Sequence, residues 1–314
     1  MKSTVTIWDS LKKEFLYQRY SHVLWITLVS AVFLSLVNIY GLISKAINAY
    51  NNYLKSYTFY KEQGVDVEAL LKLPGSAPGS SLVDNSVRYY YDQLSSTIYI
   101  LDGVHLITPT LEWLLFAFCP IIFGLYGLYV ATYDYKYKTL KLKMLHATPK
   151  HILTVKFIVS LICIIVVMVI TLIISCLAGL VASIYLSKKV PVYSFPIVDT
   201  FSIGSLPLQL LYALFLCIIF TAIGFLLGII FKTTLFPAIL IFVYNFFVPL
   251  LGKYDFKNLI ASVAHSIFSF KGKFELIVPV PIPVTQSLFI LLLFCLLLIA
   301  GSFLLFKRQS KYTH

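Results

Sequence analysis

The residues that could carry chemistry are few and scattered. Histidine occurs at His22, His105, His146, His151, His265 and His314, and cysteine at Cys119, Cys163, Cys176, Cys217 and Cys295. A zinc site needs ligands at close, regular spacing. His146 and His151 share one basic segment, but an offset of five does not align two side chains on one helical face. The cysteines lie inside apolar runs without a C-x-x-C pair. That placement reads as small buried hydrophobes rather than disulfides or metal ligands. The chain contains no G-x-S-x-G elbow, no H-E-x-x-H helix and no phosphate-cradling G-x-x-x-x-G-K-[ST] loop. No catalytic, cofactor-binding or metal-ligating residues are therefore expected, and the chain is not expected to be an enzyme on its own.

The elements that would position any site are dominated by apolar runs. The sequence is 59% hydrophobic and 12% charged, with a mean hydropathy of +0.88. A water-soluble fold cannot hide that much apolar surface. Runs near twenty residues match a hydrocarbon layer roughly 30 Å thick. The expected fold is an all-α integral membrane protein with six transmembrane helices, at 22–43, 112–133, 157–186, 206–231, 235–251 and 286–306. An interfacial helix over 1–21 precedes them, with Trp8, Leu11 and Phe15 at helical spacing. The first apolar run starts too late and runs too long for a cleaved signal peptide.

The connections differ in character. Residues 44–111 form a long, tyrosine-rich segment broken by LPGSAPGSS at 73–81, which predicts a small extracellular domain with helices on each side of the break. Residues 187–205 form an outer loop and 232–234 a tight inner turn. Residues 252–285, with PVPIPV at 279–284, are too interrupted to span and predict outer re-entrant or interfacial pieces. Residues 307–314 form a basic tail.

Charge fixes the expected orientation. The net charge is +12, and its lysines cluster beside apolar runs, where anionic headgroups favour them. That placement argues for membrane lipid as a partner and against nucleic acid. With both termini cytoplasmic, the short inner segments carry the higher density of Lys and Arg, and only Asp9, Glu14 and Asp134 as acidic groups. The expected location is a bacterial plasma membrane, crossed several times. The span interiors are almost free of ionisable residues, which weakens ion-coupled transport and intramembrane proteolysis. Uphill movement of a substrate would then draw its energy from a partner.

The segment 134–156, DYKYKTLKLKMLHATPKHILTVK, is the best candidate for contacting that partner. Leu140, Leu142 and Leu145 offer apolar anchors among Lys136, Lys138, Lys141 and Lys143, with Pro149 closing the element and Lys156 marking re-entry into the bilayer. This segment resembles the inner loop of ABC-2-type transporter permeases. Thr139 and Leu140 match that family's Thr-Leu pair, Leu145 with Ala147-Thr148-Pro149 matches its leucine–small–proline portion, and Lys156 matches the lysine before the third span. Tyr135-Lys136-Tyr137-Lys138 replaces the Glu-x-Gly that many members carry. The six-span order and the outer pieces before the last span resemble the family as well.

The resemblance implies a permease that pairs with a second identical or related permease chain and with two cytoplasmic ATP-binding cassette subunits. Those subunits would bind ATP and magnesium. Thr139, Leu140, Lys141, Lys143, Leu145 and Pro149 become coupling candidates, with Leu140 and Leu145 packing on the ATPase and Lys141 and Lys143 orienting the loop. The expected activity is export of a hydrophobic or amphipathic substrate, such as a peptide, a drug or a lipid-like compound. Isolated polar residues in the spans, Asn38, Thr171, Ser175, Thr221 and Asn245, are substrate-path candidates, although each also suits helix–helix contact. The alternative from a different class is an ATPase-independent membrane sensor or assembly protein that uses 44–111.

Overall fold

A computed structural model describes residues 7–75, 84–196, 205–270, 272 and 274–311. The Pro/Gly break at 73–81 and the outer loop at 187–205 lie partly outside the described residues. The described chain is helical, without strands. Five helical stretches are long and apolar enough to cross a membrane: Val23–Glu62, Gly103–Lys136, Pro149–Ser187, Leu206–Phe231 and Val284–Gln309. A shorter apolar helix covers Leu235–Phe246. The protein is a multi-pass, all-α membrane protein.

The chain opens with α1 (Ile7–Tyr20) and α2 (Val23–Glu62), joined at His22 in a left-handed conformation. The 40 residues of α2 extend about 60 Å, twice the hydrocarbon thickness. The span expected at 22–43 is thus the first half of a longer helix. Its second half joins α4 (Ser86–Ile100) and the far end of α8 (Pro149–Ser187) in a separate small core, with α3 (Val67–Lys72) packed on α4 outside it. Asp66 and Asn85 cap α3 and α4 through their side-chain oxygens. Leu42, Ala46, Leu94, Leu101 and Leu186 fill this core, and Tyr53 and Tyr91 pack on Phe195. Tyr50, Tyr53 and Tyr91 therefore belong to a packed body.

The second long stretch is α5 (Ile107–Trp113), a π turn at Leu114–Phe118, and α6 (Cys119–Lys136). Pro120 explains the π turn, because proline supplies no N–H and its ring crowds the carbonyl four residues earlier. Asn245 Nδ2 donates to the Ala117 carbonyl within that turn, at 3.0 Å. The short α7 (Leu140–His146) follows, and then α8, which starts with Pro149 behind a Thr148 cap. Residues 149–156 thus form the first turns of α8.

α9 (Leu206–Phe231) packs most intimately on α6. A Cβ on Gly127 would collide with the Thr221 carbonyl, and one on Gly224 with the Gly124 carbonyl. Small residues let these two backbones touch, the usual means of helix association without water to drive it. α9 ends at Lys232, left-handed, and α10 (Leu235–Phe246) begins after a tight turn. α11 (Phe256–Ile267), capped by Asp255, packs on the last helix, α12 (Val284–Lys311). The proline-rich strap between them is held by side chains, since its prolines donate nothing. Asn258 both donates to the Val280 carbonyl and accepts the Val280 N–H, and Ser262 donates to the Ile282 carbonyl.

Candidate functional site

The segment 134–156 is built on a buried charge cluster. α1, the end of α6, α7 and the start of α8 converge there. Asp134 sits at the last turn of α6 and accepts from Lys156 of α8 at 2.8 Å and from Lys143 of α7 at 2.9 Å. Thr139 Oγ1 donates to Asp134 Oδ1 at 2.7 Å. Lys143 reaches across to Glu14 of α1 at 3.3 Å. Tyr133 donates its hydroxyl to Glu14 at 2.6 Å, and its ring lies 3.9 Å beneath the Lys156 ammonium. Lys156 also donates to the Val130 carbonyl at 2.7 Å. Tyr17 stacks on Tyr133 with centroids 4.3 Å apart.

The electrostatics balance. Two carboxylates meet two ammonium groups, and each charge has several hydrogen-bond partners. A buried ion pair is tolerated only when its desolvation is offset this fully. Burial lowers the affinity of Lys143 for its proton, but Glu14 and Asp134 outweigh it, so its pKa stands above the ordinary lysine value. Burial, followed by the Asp134 charge, raises that of Tyr17. Among the described residues no His/Cys/Asp/Glu group could hold a metal ion. What this arrangement can do is hold α7 rigidly on the end of the helical bundle.

The coupling candidates divide between two faces. Leu140 is buried and joins the main core, Thr139 bonds Asp134, and Lys143 is half-buried in the charge cluster. Lys141 is exposed, as are Leu142 and Leu145 at 64% and 74%. Pro149 is the first residue of α8. The exposed leucines on α7 are thus Leu142 and Leu145, while Leu140 anchors the helix from inside. Beside them lies a groove of about 500 Å³ between α1, α7 and α8, with Ser10, Lys13, His146 and His151 on its walls. His151 Nε2 hydrogen-bonds Ser10 at 3.0 Å across it.

The substrate-path candidates do not come together as one surface. Asn38 donates to the Pro109 carbonyl, Ser175 bonds Ser35 and the Thr171 carbonyl, and Thr171 and Thr221 are buried between helices. Asn245 alone of these lines a described cavity, of about 260 Å³, near the π turn. All five cysteines are free, with Cys119 and Cys217 in sulfur contact at 3.8 Å.

Sequence reasoning did not find Glu14, Tyr133 or Asp134 as partners of Lys143 and Lys156. It also passed over Glu112, which is 1% exposed and accepts the Phe270 N–H at 2.8 Å. The available signal was the pair of carboxylates Glu112 and Asp134 at the two ends of the second expected span, since such a group rarely lies beside hydrocarbon without a partner. No family model, no curated protein and no solved structure matches this chain.

Proposed function

We propose that the chain is the permease subunit of an ATP-driven ABC-2-type exporter. The observation that carries this reading is α7. It presents Leu142 and Leu145 outward while its other face is fastened to α1, α6 and α8 by Lys143, Asp134 and Lys156. A rigid helix with exposed leucines is suited to press into a groove on a partner and to pass its movement into α6 and α8. The energy source would be two ATP-binding cassette subunits that hold ATP and magnesium, consistent with the missing phosphate-binding loop in this sequence.

In this reading the α7 end faces the cytoplasm, both termini lie on that side, and the tyrosine-rich body over 44–111 is extracellular. α1 lies at the inner surface. Its buried face carries Glu14 and Gln18, while Trp8 is 74% exposed, an arrangement suited to an apolar face against lipid. α10 rises only about 18 Å, so the residues after it must complete the fifth of six crossings. α12 leaves much of its apolar surface uncovered, available to lipid or to a second identical or related permease. The substrate class is hydrophobic or amphipathic.

Purification from native membranes in mild detergent tests the reading. A nucleotide-binding ATPase should accompany the chain, and Leu142→Asp with Leu145→Asp should release it while the chain still inserts. A chain that purifies alone and signals or assembles without ATP would reject the permease reading in favour of a sensor. A cysteine placed at position 80 should label from outside intact cells.

A further inference from the structure

The cavity beside the π turn has the composition of a ligand pocket. Leu115, Phe116, Pro120, Phe220, Ile260 and Ala261 supply apolar wall from three separate helical stretches. The strap around Phe274–Pro279 closes another side, and Tyr244, Asn245, Leu250, Phe256 and Lys257 complete the wall. That strap is pinned on one side by Glu112, through the Phe270 N–H, and by Lys45, whose ammonium donates to the Gly272 carbonyl at 2.9 Å. Asn258 and Ser262 pin its other side. Phe270 adopts a left-handed conformation, φ 49°, that a phenylalanine rarely takes. The described residues of the strap are therefore tied by these contacts over a cavity of about 260 Å³.

Two opposite charges share the lining. Lys257 donates to the Val248 carbonyl at 2.6 Å and the Asn245 carbonyl at 3.1 Å. An ammonium has three N–H groups, so the two carbonyls leave a third beyond them, with the Tyr244 ring centroid 5.0 Å from the nitrogen. Burial pulls the Lys257 pKa below its ordinary value, with Asp255 opposing, and a bound anion would relieve that. Glu275 lines the same cavity from the exposed strap. A cation and an anion at one apolar pocket suit a head that carries both signs. A bare anion would meet Glu275, and an uncharged head would leave both groups unanswered.

From this geometry we infer that the pocket binds a phospholipid with a zwitterionic phosphoethanolamine head, its phosphate toward Lys257, its ammonium toward Glu275 and part of an acyl chain among Phe116, Phe220 and Ile260. The inference needs only a membrane protein and does not rest on the transporter reading. The strap sets the pocket's shape.

Native mass spectrometry of the full chain in nonionic detergent tests this, with lysophosphatidylethanolamine as the titrated probe. One saturable copy per chain is expected, with lysophosphatidylglycerol about tenfold weaker, the worth of one charge-assisted hydrogen bond. Lys257→Gln should weaken both probes. Glu275→Gln should bring the two to equal affinity. Ala261→Phe should abolish binding by filling the cavity, and Ala261→Leu, a smaller fill, should weaken it if the larger variant fails to fold. Glycerophosphoethanolamine, the head without a chain, should not displace the probe. Unchanged binding in a folded Ala261 variant, equal affinity for both lipids in the parent chain, or displacement by the head alone would each overturn the assignment.

Discussion

Asp134 and Lys156 form a 2.8 Å ion pair with both side chains 2% exposed. They lie at the two ends of the segment that carries α7, on α6 and α8. The pair therefore closes that segment into a loop with a fixed base, and Lys143 ties α7 itself to the same carboxylate. Asp134 thus links α7 to both long helices, alongside the buried anchor Leu140.

Removing only one partner should be severe. Asp134→Ala leaves Lys156 buried without its counter-charge, which costs about 3–5 kcal/mol. Thermal unfolding in detergent should show a large drop. Asp134→Leu combined with Lys156→Met should regain much of the loss, because neither charge is then stranded. A double variant no better than the single would contradict this account.

Glu14 should matter for the attachment of α1. Glu14→Ala takes away the acceptor for Tyr133 and one partner of Lys143, while Asp134 still holds Lys143. We expect a loss of about 1–3 kcal/mol, the cost of leaving buried donors unmade. Hydrogen exchange should speed up in α1 more than in α7.

The dependence of the lock on pH follows from Lys143. Its folded pKa is raised, so the stabilisation is fully present below the ordinary value of 10.5 and fades as pH climbs through the folded value. Hydrogen exchange in α7 should stay constant between roughly pH 6 and 9 as far as Lys143 is concerned, once the intrinsic exchange rate is removed. Loosening within that window that Lys143→Met abolishes would refute the assignment.

Much of the bundle was legible in the sequence, because apolar runs report hydrocarbon burial directly. The length of α2 was not. Residues 44–62 are polar and rich in tyrosine, and only their packing on α4 and α8 explains a helix that continues to Glu62. The leucines of α7 also read alike. Leu140 turns inward and Leu142 and Leu145 outward because Lys143 is drawn into the charge cluster, which fixes the rotation of the helix. No spacing rule joins Asp134 to Lys156 across twenty-two positions, or Glu112 to the Phe270 N–H. Such contacts depend on tertiary packing.

The α6–α9 contact should tolerate no added bulk. Gly224→Leu places side-chain atoms where the Gly124 carbonyl lies, and Gly127→Leu does the same at Thr221. Either should abolish the monodisperse peak in size-exclusion chromatography, whereas Gly301→Ala, with only a flexible Leu226 methyl nearby, should leave it intact.

The most direct test of the proposed permease role is ATP turnover by any complex that purifies with this chain. Leu142→Asp with Leu145→Asp should reduce co-purified ATPase and its activity about tenfold or more, as expected for contacts worth at least 1.4 kcal/mol, while the chain keeps its parental unfolding temperature. An ATPase that remains bound and fully active with both leucines replaced would contradict the claim that α7 is the coupling surface.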